Sequence, residues 1–322
     1  MRTMRETDYT YAVARIRANE LNLLTSEDIK QLISAASTDV SLRILTDKGR
    51  SGNDETELCE NEMSKAFSLI CESVPDNSLT DALAVGNDFF NLKAAIKTVF
   101  SGLESESYMT SPCLTDSGKI IEAVKTNNFT LLPDYLAECG EKAYKAISEC
   151  QSGQKAEIII DKYCLDTKAE FAEKSNSEVL VKIARLSCVI SNIKTALRSA
   201  KTGKTKEFAL EALSVGCKSL DNEKLVDAAF SGEKLEDIIA EAGYTDIAKY
   251  ADGDFSILEK QGDNLITSYI RKAKYEIFGP DPIVAYYYAK IAETKNVRII
   301  LSAKASSVPE ETITERVREL YV

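Results

Sequence analysis

The strongest hint of chemistry in this sequence is a short run that resembles the end of a phosphate-binding loop. The run Thr202-Gly203-Lys204-Thr205 contains the Gly-Lys-Thr order that closes such loops. A complete loop also needs a glycine five residues before Gly203, and this chain has Arg198 there. The run also follows an expected helix, whereas a phosphate-binding loop follows a strand. We therefore expect no nucleotide site here.

The cysteines have types suited to zinc binding or redox chemistry, but their spacing suits neither. Zinc ribbons and redox motifs use pairs separated by about two to four residues, whereas the closest cysteines here are eleven residues apart. The chain also has no histidine, which excludes a histidine base, a histidine-ligated metal and a Ser-His-Asp triad. We expect no metal, no cofactor, and free thiols in a reducing compartment. The eight cysteines are at positions 59, 71, 113, 139, 150, 164, 188 and 217.

The charged residues exclude further classes of function. Forty basic and 51 acidic residues give a net charge of −11, which disfavours a nucleic-acid binder because such proteins need a basic surface. The carboxylates are scattered along the sequence, so no pair stands out as a general acid and base. We predict that the chain is not an enzyme and has no direct small-molecule ligand.

No segment is expected to enter a membrane. The longest stretch without Asp, Glu, Lys or Arg is nine residues, 107–115, and a spanning helix needs about 20 apolar residues. The N-terminal residues also lack the apolar core of a signal peptide. We expect no transmembrane segment, no signal peptide, and a protein that stays in the cytosol.

The elements that would position any functional residue are expected to be helices. Apolar residues recur at spacings of three and four, which is typical of helices with one buried face. Only residues 156–160 could form a strand, and they fit a buried helical turn equally well. Helix starts are marked by capping residues such as Thr25, which is followed by Glu27 and Asp28. The sequence therefore predicts an all-α protein. The recurring sets are Ile29, Leu32, Ile33; Leu92, Ile96, Val99; Ile183, Leu186, Ile190; and Ile313, Val317, Leu320.

A six-residue pattern occurs three times in the chain. The copies start at Asn91, Asn192 and Asn296, with spacings of 101 and 104 residues, and read Asn, aliphatic, basic, two variable residues, aliphatic. Three copies at near-equal spacing indicate triplication of a helical unit. We predict three helical units in one continuous array, at residues 1–110, 111–215 and 216–322. Each copy precedes a turn and a predicted helix start, near Thr115, Asp221 and Pro309.

The basic residue of each copy is a candidate for contact with a partner. Lys93, Lys194 and Arg298 lie about 100° to one side of the aliphatic stripe, so we expect them to be exposed. Lys97 and Arg198 follow one turn later in the first two copies. Two interpretations remain open, because these side chains could line an interaction surface or could simply be solvated.

The C-terminal segment differs in charge from the remainder of the chain. Residues 264–322 hold nine basic and seven acidic side chains, whereas the first 263 residues hold 31 basic and 44 acidic ones. The segment also contains Tyr286-Tyr287-Tyr288. Three consecutive residues of a helix cannot all face the core. At least one tyrosine is therefore expected at the surface, at an interface or covering a neighbouring helix.

Three parts of the chain together resemble one known family. On these residues the chain resembles the C subunit of the V-type and A-type ATP synthases, the prokaryotic relative of the eukaryotic V-ATPase d subunit. An acidic residue three positions before the repeated asparagine occurs as Asp88 and Glu293, but the middle copy has Val189. The most specific part is the C-terminal run Phe278-Gly279-Pro280-Asp281-Pro282-Ile283, Glu293-x-x-Asn296-Val297-Arg298-Ile299-Ile300, Val308-Pro309-x-x-x-Ile313 and Arg318-Glu319-Leu320-Tyr321-Val322. The other parts are Tyr9-x-Tyr11-Ala12-x-Ala14-Arg15-Ile16-Arg17-Ala18 and Asp88-Phe89-Phe90-Asn91-Leu92-Lys93.

The resemblance implies a fold and a function. The fold would be three similar helical units around a pseudo-threefold axis, shaped like a funnel. Its mouth would receive the D and F subunits of the central stalk, and its base would sit on the membrane proteolipid rotor ring at the cytoplasmic face. The protein would be a non-catalytic, peripheral rotor subunit that transmits torque for H⁺ or Na⁺ transport. We expect Lys93, Lys97, Lys194, Arg198 and Arg298 to help line its contact surfaces. An unrelated helical-repeat scaffold or adaptor stays open as an alternative, although it would not explain the C-terminal match.

Overall fold

Helices account for the regular structure of the protein. The structure is a computed structural model that describes residues 6–105, 108–149 and 151–322. The chain is 73% helical, and no strand occurs in the described residues. The all-α prediction is therefore confirmed, and residues 156–160 lie inside a helix. None of the helices in the described part of the chain is both long and apolar enough to cross a membrane.

The helices differ widely in length, and three long ones carry the repeated pattern. The first eight are α1 (Thr10–Glu20), α2 (Ser26–Ser34), α3 (Thr38–Asp47), α4 (Glu55–Cys71), α5 (Ser78–Ser101), α6 (Ser117–Thr126), α7 (Asp134–Ser148) and α8 (Gly153–Lys174). The others are α9 (Glu178–Lys201), α10 (Lys206–Ala212), α11 (Asn222–Ser231), α12 (Glu236–Glu241), α13 (Thr245–Ala248), α14 (Phe255–Ala273), α15 (Asp281–Ala305) and α16 (Glu310–Arg316). The pattern lies on α5, α9 and α15, which have 24, 24 and 25 residues.

The helices form two compact units. Unit 1 contains the residues up to Asn77, Ser177–Leu180 and Glu259–Val322, and unit 2 contains Ser78–Asn176 and Val181–Leu258. Helices α9 and α14 each have residues in both units. The division into three units at residues 110 and 215 stays a prediction, as does the funnel around a pseudo-threefold axis.

The core of unit 1 is built around α15. This helix packs against α1, α2, α3, α4 and α16. Its side chains Val297, Ile300 and Leu301 are buried with Leu32 of α2 and Leu58 of α4. Because these apolar positions recur at spacings of three and four, α15 presents one continuous stripe to its neighbours.

The core of unit 2 is built in a similar way around α5. This helix packs against α6, α7 and α8. Its side chains Phe89, Leu92 and Ile96 are fully buried in a cluster with Ile120 of α6 and Ile160 of α8. The predicted stripe of Leu92, Ile96 and Val99 therefore faces the core.

Helix starts follow the predicted capping residues closely. Thr25 caps α2, and its hydroxyl accepts from the Asp28 amide while the Asp28 carboxylate accepts from the Thr25 amide. This is the capping box that the sequence predicts. Asp221 caps α11 with its carboxylate. Pro309 is one residue earlier than expected, because α16 begins at Glu310 and Pro309 occupies the cap position.

The C-terminal residues depart from the predicted helix. The sequence pattern places Ile313, Val317 and Leu320 on one helical face, but α16 ends at Arg316 and Val317 is extended. The main chain beyond Arg316 pairs with side chains of α14 and α15, which we describe below. These competing hydrogen bonds explain why the helix stops while the apolar spacing continues.

The fragment that resembles a phosphate-binding loop connects two helices. Gly203 has a φ of 67° just after α9, in the left-handed region that favours glycine at a helix end. Thr205 caps α10, because its hydroxyl accepts from the Phe208 amide. Both residue types are accounted for by helix termination and capping.

Candidate interaction surface

The repeated asparagine performs the same task in all three copies. Asn91, Asn192 and Asn296 are 0%, 2% and 0% exposed. Each side chain bonds both main-chain groups of one residue in the segment that returns past its helix. The amide nitrogens donate to carbonyl oxygens of Thr110 (3.0 Å), Ser214 (2.8 Å) and Arg318 (3.0 Å). The amide oxygens accept from the main-chain nitrogens of the same residues at 2.7, 2.9 and 2.8 Å.

This pairing is a structural repeat as well as a sequence repeat. Thr110, Ser214 and Arg318 are evenly spaced along the chain, yet they share no residue type. A side-chain amide has a donor and an acceptor side by side, so it can pair with a peptide as another peptide would. We call these three pairs the asparagine anchors.

The acidic residue before the asparagine has a defined partner where it is present. The Asp88 carboxylate accepts from the main-chain nitrogens of Leu114 (2.8 Å) and Thr115 (2.9 Å) and from the Tyr135 hydroxyl (2.6 Å). Thr115 directly precedes the cap of α6, which is Asp116. The acid therefore fixes the start of α6 against α5.

Glu293 occupies the corresponding position on α15. Its carboxylate accepts from the main-chain nitrogen of Leu24 at 2.8 Å, and Leu24 directly precedes Thr25, the cap of α2. The N-terminal helices α2, α3 and α4 thus pack around α15 in the way that α6, α7 and α8 pack around α5. The start and the end of the chain are joined within unit 1.

The middle copy uses a different acid. Val189 is fully buried and apolar, and Asp166 of α8 holds the return segment instead. One Asp166 oxygen accepts from the Ser214 hydroxyl (2.6 Å) and the main-chain nitrogens of Val215 (2.8 Å) and Gly216 (3.1 Å). The departure noted in the sequence is therefore real, and another helix compensates for it.

Two of the predicted contact residues form ion pairs inside unit 2. Lys93 of α5 pairs with Asp161 of α8, and Lys97 pairs with Glu157 one turn away. The Lys93 side chain is partly buried, whereas the Lys97 side chain is exposed. These pairs tie the outer faces of the two helices together, and they leave the Lys97 head group accessible.

Two further predicted residues lie along a groove beside the same carboxylates. Lys194 and Arg198 of α9 line a cavity of about 530 Å³ together with Glu157 and Asp161. The Arg198 guanidinium lies 5.1 Å from the ring centroid of Phe255, a cation–π distance. The structure therefore brings four of the five predicted residues to one charged region of unit 2.

Arg298 lies in unit 1 and is exposed. It lines a shallow cavity of about 390 Å³ with Glu55, Arg316 and Arg318. Burial raises the pKa of the neighbouring Cys59 thiol, and the positive charge of Arg298 opposes this shift. Arg298 therefore contacts α4 from α15, as Lys93 contacts α8 from α5.

A buried charge cluster was not predicted from the sequence. Arg50, Glu62, Lys290 and Glu293 are each less than 10% exposed. Glu62 pairs with Arg50 at 2.7 Å and with Lys290 at 2.9 Å, and Glu293 pairs with the same two cations at 2.9 and 3.0 Å. Only Lys290 and Glu293 are close in sequence, so no local pattern marks the cluster.

The cluster perturbs the groups around it. Burial raises the pKa of Glu62, but Lys290 and Arg50 more than offset this, so its pKa lies below the ordinary value. Burial and the charges of Glu293 and Glu62 raise the pKa of Tyr286 to about 12. Tyr286 and Tyr287 are buried, and Tyr288 alone of the three consecutive tyrosines is half-buried. The ring of Phe67 packs edge-on against Tyr287, so this run covers a neighbouring helix.

The described residues contain no metal site and no pair of reactive thiols. No group of three or more acidic or cysteine side chains in the described ranges is placed to hold a metal ion. All seven described cysteines are free, and Cys150 lies outside the described residues. Burial raises the pKa of the Cys188 thiol to about 11, which disfavours the reactive thiolate.

Comparison with known proteins places these features in a family. The family described as ATP synthase (C/AC39) subunit matches residues 12–316. The C subunit of the V-type sodium ATPase of Enterococcus hirae is 23% identical over 95% of this chain and 97% of its own length. The C subunit of the A-type ATP synthase of Methanococcoides burtonii is 22% identical over 95% of this chain and 93% of its own length. The family resemblance predicted from the sequence is confirmed, and the chain belongs to the ATP synthase (C/AC39) subunit family.

Proposed function

We propose that this chain is the non-catalytic rotor subunit that couples the central stalk of a V-type or A-type ATPase to its membrane proteolipid ring. In this role it would bind the D and F subunits of the stalk at one face and the ring at another. It would transmit torque between them for H⁺ or Na⁺ transport, as a peripheral protein at the cytoplasmic face. The observation that carries the proposal is the family match over residues 12–316.

The relatives support a role within a multi-subunit machine. One is named as a subunit of a sodium ATPase and the other as a subunit of an ATP synthase. Both align with this chain over more than nine-tenths of their own lengths. The likeness therefore extends over the whole subunit rather than one segment of it.

Each unit has features suited to a part that transmits force. The asparagine anchors join the return segments to the long helices α5, α9 and α15 through fully buried hydrogen bonds. Buried polar groups of this kind are costly to separate, because each would be left without a partner. The anchors and the close-packed cores therefore resist local deformation.

The exposed basic residues are the proposed contacts with other subunits. Lys97, Arg198 and Arg298 are exposed at the surface of the repeat helices, while Lys93 and Lys194 are half-buried beside them. Exposed charges on a mainly acidic protein would guide association and make it sensitive to salt. We propose that these five residues contribute to the stalk or ring contact in addition to their contacts within the chain.

Affinity purification of a tagged chain tests the proposal. We expect recovery of the D and F subunits and of the proteolipid from cells that contain the whole complex. Recovery of unrelated proteins without these subunits would favour a general scaffold. Enzymatic turnover by the isolated chain would contradict the non-catalytic role.

A further inference from the structure

An apolar loop in unit 1 is exposed to an unusual degree. The loop joins α14 to α15, and its side chains Tyr275, Ile277 and Phe278 are 85%, 68% and 47% exposed. Three large apolar side chains within four residues form a contiguous patch, and such patches usually mark a contact with another molecule. The family match and the basic residues of the repeat do not account for this loop.

The loop is held in place by Arg17 of α1. One Arg17 nitrogen donates to the carbonyl oxygens of Ala273 and Glu276, both at 3.0 Å. The other donates to the Glu20 carboxylate at 2.7 Å and to the Tyr321 hydroxyl at 3.1 Å. The Tyr321 hydroxyl in turn donates to Glu20 at 2.9 Å. The loop backbone is thus fixed from α1 and the C-terminus, so its apolar side chains remain presented to the outside.

The charge around the loop is opposite to that of the protein. Residues 271–278 include Arg271, Lys272 and Lys274 but only one acidic residue, Glu276. All four are exposed, in a chain with a net charge of −11. The Lys274 ammonium lies 5.4 Å from the ring centroid of Tyr321, which holds it beside the loop. This is therefore a place where an acidic protein could approach an anionic surface.

We propose that the loop Lys274–Phe278 inserts into the headgroup layer of an anionic lipid bilayer. Tyrosine prefers the membrane–water boundary, and aliphatic and phenyl side chains enter the layer beneath it. Flanking lysines are attracted to anionic headgroups. A five-residue protrusion offers little of the roughly 800 Å² that each partner of a stable protein–protein interface buries. A few apolar side chains with a basic flank are sufficient for a reversible membrane contact.

The inference extends the proposed function, which places the chain beside a membrane, but it can be tested without stalk or ring. The chain contains no tryptophan, so a single substitution introduces the sole indole fluorophore. We would prepare Tyr275→Trp and Phe278→Trp in the full chain. The matched control is Phe90→Trp in unit 2, where the native side chain is 54% exposed. The probes are phosphatidylcholine vesicles with and without phosphatidylglycerol, carrying brominated acyl chains for quenching.

The loop variants should respond to anionic vesicles and the control should not. We expect a blue shift and quenching of the indoles at positions 275 and 278 with phosphatidylglycerol present, weakened by added salt. Since a lysine near an anionic surface contributes roughly fivefold in affinity, Lys272→Ala with Lys274→Ala should reduce vesicle binding by roughly 25-fold. Arg17→Lys should weaken the response without changing the charge, because lysine cannot bridge the two carbonyl groups as the guanidinium does.

The outcomes separate this inference from the proposed function. Unchanged fluorescence of both loop variants with anionic vesicles would overturn the lipid contact. Equal quenching of the Phe90→Trp control would also overturn it, because binding would then not be specific to the loop. If Tyr275→Ser, Ile277→Ser and Phe278→Ser together abolish recovery of the ring but vesicle binding persists, the loop contacts protein and the lipid proposal is wrong. Failure of the wild-type chain to recover the stalk proteins and the proteolipid would instead count against the rotor function alone.

Discussion

At the scale of single residues, the asparagine anchors show how one side chain can act as a section of backbone. Asn91, Asn192 and Asn296 each satisfy both main-chain groups of a residue far along the chain. Loss of such a side chain would leave a buried N–H and a buried C=O without partners, and each of these costs about 1–3 kcal/mol. The anchors should therefore contribute more to stability than their small contact area indicates.

Asn296→Ala tests an anchor directly. We expect a loss of about 2–4 kcal/mol in the free energy of unfolding and faster amide exchange in residues 317–322, which the side chain holds through Arg318. Urea unfolding and hydrogen–deuterium exchange measure the two effects. The control is Asn128→Ala, because Asn128 is exposed and its side chain bonds only within its own turn. Unchanged exchange in the C-terminal residues would contradict the role of the anchor.

The buried charge cluster makes a prediction about pH. The folded pKa of Glu62 lies below its ordinary value of 4.5, so its stabilising effect is complete above that value and is lost as the pH falls through the folded pKa. Glu62→Gln should cost about 3 kcal/mol at neutral pH, because Arg50 and Lys290 lose a buried partner. The deficit should shrink below pH 4.5, where the wild-type carboxylate also becomes protonated.

Thermal unfolding between neutral and acidic pH measures this effect. Glu60→Gln is the matched control, because Glu60 is exposed on the same helix, α4. We expect the control to follow the wild-type profile throughout. A constant deficit for Glu62→Gln at every pH would show that the charge of Glu62 is not what stabilises the folded state.

At the scale of elements, the sequence predicted helices and their starts far better than their partners. Thr25 and Asp221 are local signals, because a cap bonds to residues two or three positions ahead. The end of α16 at Arg316 depends instead on Asn296 and on α14, which lie distant in sequence. The pairing of Lys93 with Asp161 and the Arg50–Glu62–Lys290 contacts are equally non-local. Sequence spacing identified which residues are special, and only the fold shows what they touch.

A charge swap between α5 and α8 separates the two roles of the basic residues. Lys93→Asp should weaken both the helix pair and association with stalk or ring. Adding Asp161→Lys restores the internal ion pair while it reverses the positions of the two charges. If the Lys93 charge contacts a partner, stability should recover in the double variant but co-purification should not.

Thermal unfolding and co-purification at low and high salt measure the two responses. The effect on association should be larger at low salt, since salt screens exposed charges. Full recovery of co-purification in the double variant would mean that Lys93 serves only the internal pair. In that case the proposed contact role of Lys93 would be wrong.

At the scale of the whole molecule, the charge distribution and the triplication are the features most directly visible in the sequence. The repeat at Asn91, Asn192 and Asn296 is a local pattern and has a common structural role in all three copies. The completion of the α15 group by the N-terminal helices could not be predicted, because it joins Glu293 to Leu24 across most of the chain. The exposed loop at Tyr275–Phe278 was equally hidden, since exposure depends on what packs around a segment.

ATP-driven ion transport by the assembled complex tests the central claim most directly. Complexes depleted of this chain, and depleted complexes supplied with the purified chain, would be compared in sealed vesicles. The rotor function predicts that depletion abolishes transport while ATP hydrolysis by the catalytic subunits continues, and that the purified chain restores transport. Full-rate ion transport by complexes without the chain would contradict the account.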